Sequence, residues 1–295
     1  MNGKYSKSKL IGRKWFVFFI TILAMLLILS IAFIVYIHVK NVITYEKINS
    51  SSLVTDNIAA SSTPIVVNNI IVGAVYDKKW VSTERYFFKS TNKEKFDVDV
   101  FNKDGKAGSF KLNEIQKNNE QATAYTSTTR INHVDEYYAI KTGSSFVKMS
   151  LLELNNETNN KYINYVKEAL GMYNMLNGTV KIKEIYETYL TPGKVSYVIT
   201  ATNNSNSNGG VYSAVIFVDN DDKVSLVKYN FLKDVNNSSD FNIYSVKFIA
   251  DLNDDGVSEI ILQETKEFDT KYSIMEYNKG KFYEVLSAKL SNKII

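Results

Sequence analysis

The chain has 295 residues, 45% of them hydrophobic, and a formal net charge of +4, so it is long enough to bury the core of one large or two ordinary domains. It contains no cysteine, which excludes disulfides, thiolate metal sites and a cysteine nucleophile. Residues 1–40 hold six basic residues and no acidic one, so the remainder carries 35 − 6 = 29 bases against 31 acids. Because a nucleic-acid-binding fold needs a basic surface, this balance argues against nucleic acid as a partner.

An apolar run from Trp15 to Val39 predicts a transmembrane helix. The run contains no charged residue, and as a helix it would be about 37 Å long, enough to cross a hydrocarbon layer of about 30 Å. Five basic residues precede it in the tail 1–14, and this excess of positive charge places the N-terminus in the cytoplasm. We therefore expect a single-pass protein of the cell membrane, held in lipid by 15–39, with the residues after 40 outside the cell.

A cleaved signal peptide is the alternative interpretation of this run. Ser30-Ile31-Ala32 has the pattern of small residues that signal peptidase accepts. The apolar sequence continues beyond it to Ile37, which favours a retained anchor.

Residues 66–155 are predicted to form a small β-rich domain, which follows a flexible linker at 40–65. The segment "FDVDVF" (Phe96–Phe101) alternates apolar residues with Asp97 and Asp99, and an Asp-Gly turn follows it, which together predict a hairpin. We expect the two aspartates to lie on a solvated strand face.

The last predicted domain, 156–295, begins with an amphipathic helix. Apolar residues recur three or four positions apart over Asn159–Asn177, which is the helical period. Thr158 is expected to cap the start of this helix.

A weak internal repeat follows the helix. "YLTPGKVSYVI" (189–199) and "DLNDDGVSEII" (251–261) share four identities at an offset of 62 residues. Two units result, 179–238 and 239–295, each with four short strands, which is the make-up of a propeller blade or of one sheet of a sandwich. The predicted fold class is therefore mainly β, α+β overall, with a transmembrane helix, a small β-rich domain, one amphipathic helix and two four-stranded blade-like repeats.

The loop of the second unit carries oxygen-bearing side chains at its first, third, fifth and ninth positions. Ca²⁺ takes six to eight oxygen ligands, and a tight loop with a glycine at its sixth position can supply several of them, including a carbonyl oxygen from position seven. The alternative is a polar turn between two strands that binds no metal. The candidate metal ligands are Asp251, Asn253, Asp255 and Glu259, together with the backbone of Val257.

The loop does not fit an EF-hand, because its twelfth position is Leu262 rather than glutamate and strand-like sequence follows it. With a carboxylate at position nine and a strand at its exit, it resembles the calcium loop of FG-GAP/VCBS-type repeats, the blades of integrin-like propellers. The second unit matches this pattern and the first is degenerate. The resemblance implies a structural Ca²⁺ bound by the five residues of the loop. A closed propeller is not expected from two units.

Few residues indicate catalysis. His133 is the one histidine far from the apolar run, and no nucleophile motif accompanies it. The acidic cluster "DNDDK" (219–223) has the spacing of a hairpin turn. We therefore expect a non-enzymatic, membrane-anchored extracellular binding or interaction protein that contacts cell-wall polymer or another surface protein. The alternative is a cell-surface glycan hydrolase with paired carboxylates, for which Asp135 and Glu136 are candidates.

Overall fold

The structure is a computed structural model. It falls into two units, Met1–Thr55 and Asp56–Ile295. In the first unit it describes Met25 alone, which is helical and exposed. In the second unit the described residues are 62–83, 96–112, 115–117, 125–127, 136–141, 143–172, 178–203, 210–232, 241–267 and 269–291.

The first sheet of the second unit is antiparallel and has eight strands in the order β5-β4-β8-β1-β2-β7-β6, with β3 paired to β2. Its strands are β1 (Thr63–Val67), β2 (Ile70–Tyr76), β3 (Lys79–Ser82), β4 (Phe96–Asn102), β5 (Gly105–Leu112), β6 (Ile115–Lys117), β7 (Tyr125–Ser127) and β8 (Tyr138–Lys141).

The second sheet has five antiparallel strands in the order β13-β12-β11-β10-β9. One helix, α1 (Asn156–Gly171), precedes its four long strands. The strands are β9 (Ser150–Leu151), β10 (Val180–Thr191), β11 (Lys194–Asn203), β12 (Val211–Val218) and β13 (Val224–Leu232).

The third sheet is an antiparallel meander of four strands in chain order. Its strands are β14 (Ile243–Ala250), β15 (Glu259–Lys266), β16 (Asp269–Asn278) and β17 (Lys281–Ser291). Both predicted repeat units thus form four consecutive antiparallel strands, β10–β13 and β14–β17.

The helix and the three sheets stack as layers, with α1 outermost, then the second, third and first sheets. Alternate residues of a strand face opposite sides, so the third sheet buries both of its faces. Ile260 and Leu262 pack against the second sheet, whereas Ile261 and Ile274 pack against the first. Helix α1 covers the far face of the second sheet through Val166 and its neighbours.

The described residues confirm the predicted fold class, mainly β with one helix between two β regions. The helix begins at Asn156, three residues before its predicted start, so Thr158 lies in its first turn and does not cap it. The predicted transmembrane helix lies outside the described residues except for Met25. Within the described part of the chain, no helix is long and apolar enough to cross a membrane.

The predicted domain boundaries stay predictions. Strand β1 begins at Thr63, inside the predicted linker, and β9 from the end of the predicted first domain joins the second sheet. The first and third sheets bury a common core, in which Phe101 and Tyr138 of the one lie with Phe248 of the other.

Candidate functional site

The acidic loop, residues 251–258, connects two neighbouring strands of the third sheet. Strand β14 ends at Ala250 and β15 begins at Glu259, and these two residues pair across the ladder. Because the loop leaves and re-enters the sheet at one point, its side chains are held close to one another.

Hydrogen bonds within the acidic loop tie its side-chain oxygens to the backbone of the loop, although Asp255 itself is exposed. Asp251 accepts the backbone N–H of Asp255 at 3.1 Å and that of Gly256 at 2.9 Å. The Asn253 oxygen also accepts from Asp255, at 3.0 Å, and Asp255 accepts from Val257 at 2.8 Å. Gly256 has a φ of 89°, a conformation that favours glycine. A carboxylate has about four acceptor positions, so these bonds orient the oxygens without using their full capacity.

Three contacts fix the acidic loop to the sheets. Leu252 packs into the core between the third and first sheets, and Asn253 is only 3% exposed. The backbone N–H of Ser258 donates to the carbonyl of Leu190 in the second sheet at 2.8 Å. Both ends of the loop are therefore packed against the sheets, whereas its tip at 254–256 is exposed.

Glu259 is the most unusual residue of the site, because it is 0% exposed. Its Oε2 accepts the backbone N–H of Leu252 at 2.8 Å, but its Oε1 has no hydrogen-bond partner among the described residues. Burial raises the pKa of Glu259 to about 9, and the charges of Asp255, Asp251 and Glu276 add to the rise. A buried carboxylate is costly unless it is protonated or compensated by a cation.

The donor chemistry of the acidic loop fits a hard divalent cation, since carboxylate, amide and carbonyl oxygens are the ligands that Ca²⁺ prefers. The structure brings Asp251, Asn253 and Asp255 into one hydrogen-bonded turn, with Glu259 at its base. In the described part of the chain, no group of three or more His, Cys, Asp or Glu side chains lies close enough to hold a metal ion outright. Binding of an ion would therefore require the carboxylates of the loop to move closer to one another.

A fourth carboxylate, that of Glu276, lies near the acidic loop, and the sequence pattern does not single it out. Glu276 is on strand β16. Burial raises the pKa of Glu276, the nearby indole of Trp80 on β3 opposes the rise, and the charge of Asp255 adds to it. No linear spacing could have found this residue, because strand pairing alone brings it to the loop.

The corresponding stretch of the first unit is a different structure. Strands β10 and β11 remain paired up to Thr191 and Lys194, and Gly193 turns between them with a φ of 75°. The first unit thus forms a tight hairpin where the second forms the acidic loop.

A cleft with a volume of about 450 Å³ lies beside the acidic loop. One wall is formed by Leu252, Asn253 and Asp254 of the loop. The opposite side carries the β2–β3 turn at Tyr76–Lys78 and the end of β8 at Lys141. The cleft therefore offers both charges and an aromatic ring to a polar ligand.

The carboxylate candidate Glu136 is engaged elsewhere. It forms ion pairs with Lys247 at 2.6 Å and Lys103 at 3.4 Å. Burial opposes its ionisation, but these two lysines lower the pKa of Glu136 below its usual value. A group held ionised in this way is poorly suited to act as a general acid. Asp135 and His133 lie outside the described residues.

The expectation that Asp97 and Asp99 share a solvated strand face is wrong for Asp99. Asp97 is exposed, but Asp99 is buried and pairs with Lys106 at 2.8 Å. Burial disfavours the charged form, but hydrogen bonds from Lys106, Ser109 and Gly143 outweigh it and lower the pKa of Asp99. Around Asp99 both faces of β4 are covered, because Val98 and Val100 pack into one apolar cluster and Phe101 packs into another.

The second acidic cluster, 219–223, lies at the turn between β12 and β13. Asp219 accepts the backbone N–H groups of Asp221 and Lys223 at 2.8 and 2.9 Å. Its oxygens thus close a hairpin turn, as its spacing predicts.

No family model, curated protein or solved structure matches this chain. The resemblance to FG-GAP/VCBS-type repeats therefore stays a prediction.

Proposed function

We propose that this is an extracellular binding or interaction protein, anchored in the membrane by Trp15–Val39, whose acidic loop takes a structural Ca²⁺. The observation that carries the proposal is the carboxylate of Glu259. It is fully buried, one of its oxygens has no partner among the described residues, and two further carboxylates of the loop, Asp251 and Asp255, lie near enough to raise its pKa. A bound cation would compensate both the burial and the like charges, in place of the proton that the raised pKa of Glu259 favours.

A structural role for the ion is supported by the position of the acidic loop. The loop contacts the second sheet through Ser258 and the first-sheet core through Leu252, so an ion in it would stiffen the junction of all three sheets. The same loop forms a wall of the cleft. Calcium would thereby shape the surface that binds a partner. Extracellular modules of this kind commonly bind Ca²⁺ at roughly 10⁻⁴ to 10⁻³ M.

Binding is favoured over catalysis by how the sheets pack. The interfaces between sheets are filled by apolar side chains, and Glu136 is held in ion pairs. The cleft instead carries Lys78, Lys141, Asp254 and Tyr76 on its rim, which suits a polar polymer or a peptide segment. Cell-wall polymer or another surface protein is the proposed partner.

Calorimetric titration of the full-length protein with Ca²⁺ tests the metal site. We expect wild type to bind one ion, and Asp255→Ala to lose the binding heat, because the variant removes a ligand and the turn bond to Val257. Asp221→Ala is the matched control, since it removes an aspartate from the other acidic turn, and its titration should match wild type. Binding heat that survives Asp255→Ala would exclude this ligand set, and a wild type that binds no Ca²⁺ would exclude the site altogether.

A further inference from the structure

We propose that Glu276 supplies a ligand to the same cation, so that the site is closed between the acidic loop and the neighbouring strand β16. This inference rests on the proposed calcium site. It extends that site beyond the five candidate ligands at 251–259 to a carboxylate on a different strand, which lies beside a tryptophan of the first sheet.

Strand register places Glu276 next to Glu259. Ile260 pairs with Met275 across the β15–β16 ladder. One step further along these antiparallel strands, Glu259 lies opposite Glu276. Directly opposite residues of an antiparallel pair point to the same face, with Cβ atoms about 4.5 to 5.5 Å apart. Since Ile261 and Ile274 face the first sheet, Glu259 and Glu276 face it as well.

Two acidic side chains in this relationship repel each other when both are ionised, unless a cation lies between them. Glu259 is fully buried, and within the described residues its Oε1 has no hydrogen-bond partner. That orphaned oxygen is evidence for a ligand independent of the acidic cluster. In agreement with this placement, the charge of Glu276 adds to the burial that raises the pKa of Glu259, and the charge of Asp255 adds to the burial that raises the pKa of Glu276.

Glu276 would help to complete the coordination of the ion. Ca²⁺ takes six to eight oxygens, whereas the acidic loop offers one donor group from each of Asp251, Asn253, Asp255, Val257 and Glu259. Glu276 adds a sixth donor group and a fourth carboxylate. A site with this additional charge should bind Ca²⁺ more tightly than the loop alone.

Trp80 on β3 lies beside Glu276. Burial raises the pKa of Glu276, and the nearby indole of Trp80 opposes that rise. The ring packs against the core between the first and third sheets, so Trp80 is held where it can position the Glu276 carboxylate.

Calcium titration of Glu276→Gln in the full-length protein tests the inference, with Asp254→Asn as the matched control. Asp254 is an exposed carboxylate of the same loop, and its φ of 59° is one that asparagine tolerates. We expect Glu276→Gln to weaken Ca²⁺ binding about 10- to 100-fold. Asp254→Asn should weaken it about threefold or less, as an exposed charge does.

Terbium luminescence adds a second measurement, because Tb³⁺ replaces Ca²⁺ and emits when a nearby tryptophan is excited. Wild type should show tryptophan-sensitised Tb³⁺ emission that Ca²⁺ competes away, and Trp80→Phe should abolish the emission while still binding the ion in the calorimeter. If wild type binds Ca²⁺ but Glu276→Gln behaves like Asp254→Asn, the inference fails and the proposed loop site stands. Emission that persists in Trp80→Phe also contradicts it, and a wild type without Ca²⁺ binding refutes both.

Discussion

Gly73 on β2 touches Leu286 on β17 so closely that a Cβ added to the glycine would lie 2.6 Å from the leucine Cδ1. The carbonyl oxygen of Val81 would be 2.9 Å away from the same atom. Glycine is therefore favoured here both by the approach of Leu286 from the third sheet and by the backbone of the neighbouring strand β3.

Gly73→Ala should destabilise the protein by about 1 to 3 kcal/mol, the usual cost of overpacking a core. Urea unfolding measures the loss. Leu286→Ala should cost about 2 to 5 kcal/mol alone because it leaves a cavity. The double variant should cost less than the two single changes together, since the smaller side chain makes room for the new methyl group. Strict additivity would show that Gly73 and Leu286 are not in contact.

Glu284→Gln should lower stability at neutral pH. Burial would raise the pKa of Glu284, but hydrogen bonds and charge from Lys228 and Lys271 lower it to about 2, and the Lys271 ammonium lies 2.8 Å away. The pKa of Glu284 in the folded state is below its ordinary value of 4.5. The ionised glutamate therefore stabilises the fold fully above pH 4.5, and this stabilisation is lost as the pH falls towards 2. The shift corresponds to about 3 kcal/mol at most.

Unfolding of wild type and Glu284→Gln at a series of pH values checks this expectation. The two stability curves should differ at pH 7 and converge as pH falls from 4.5 towards 2. Asp269→Asn is the control, because its partner Lys289 is 57% exposed and such pairs contribute about 0 to 1 kcal/mol. A constant gap between the two curves down to the lowest pH would contradict the assignment.

Asp219→Ala should destabilise the β12–β13 turn without affecting calcium. The aspartate accepts two backbone N–H groups, and their loss should cost about 1 kcal/mol. Thermal unfolding measures this cost, and Ca²⁺ titration should show wild-type affinity. A large loss of affinity would mean that the second acidic cluster, not the acidic loop, holds the ion.

Membrane topology can be tested with introduced thiols, because the chain has no cysteine of its own. Asp104 is exposed in the turn between β4 and β5, so the thiol of Asp104→Cys should react with a membrane-impermeant maleimide on intact cells. Ser6→Cys, in the tail 1–14, should react only after lysis. The reverse pattern of labelling would contradict the predicted orientation.

The strands of the third sheet show how much of the fold the local sequence predicts. The short apolar, β-branched run in Glu259–Leu262 predicts a strand, and the Asp-Gly pair before it predicts a turn. Helix α1 was predicted from its period, although its start differs by three residues. Burial of Asp99 was missed, because alternation alone predicts one covered face and β4 is covered on both.

The amino-acid sequence alone specifies the acidic loop, because the interactions that shape it are local. The side chains at its odd positions form hydrogen bonds within the loop, and its one glycine allows the turn. Only the tertiary structure decides that Glu259 is fully buried and that Glu276 and Trp80 meet beside it. Pairing of β15 with β16 places the two glutamates opposite each other, and packing of the first sheet on the third brings the Trp80 indole next to them. These contacts join residues far apart in the chain, and no local pattern carries information about them.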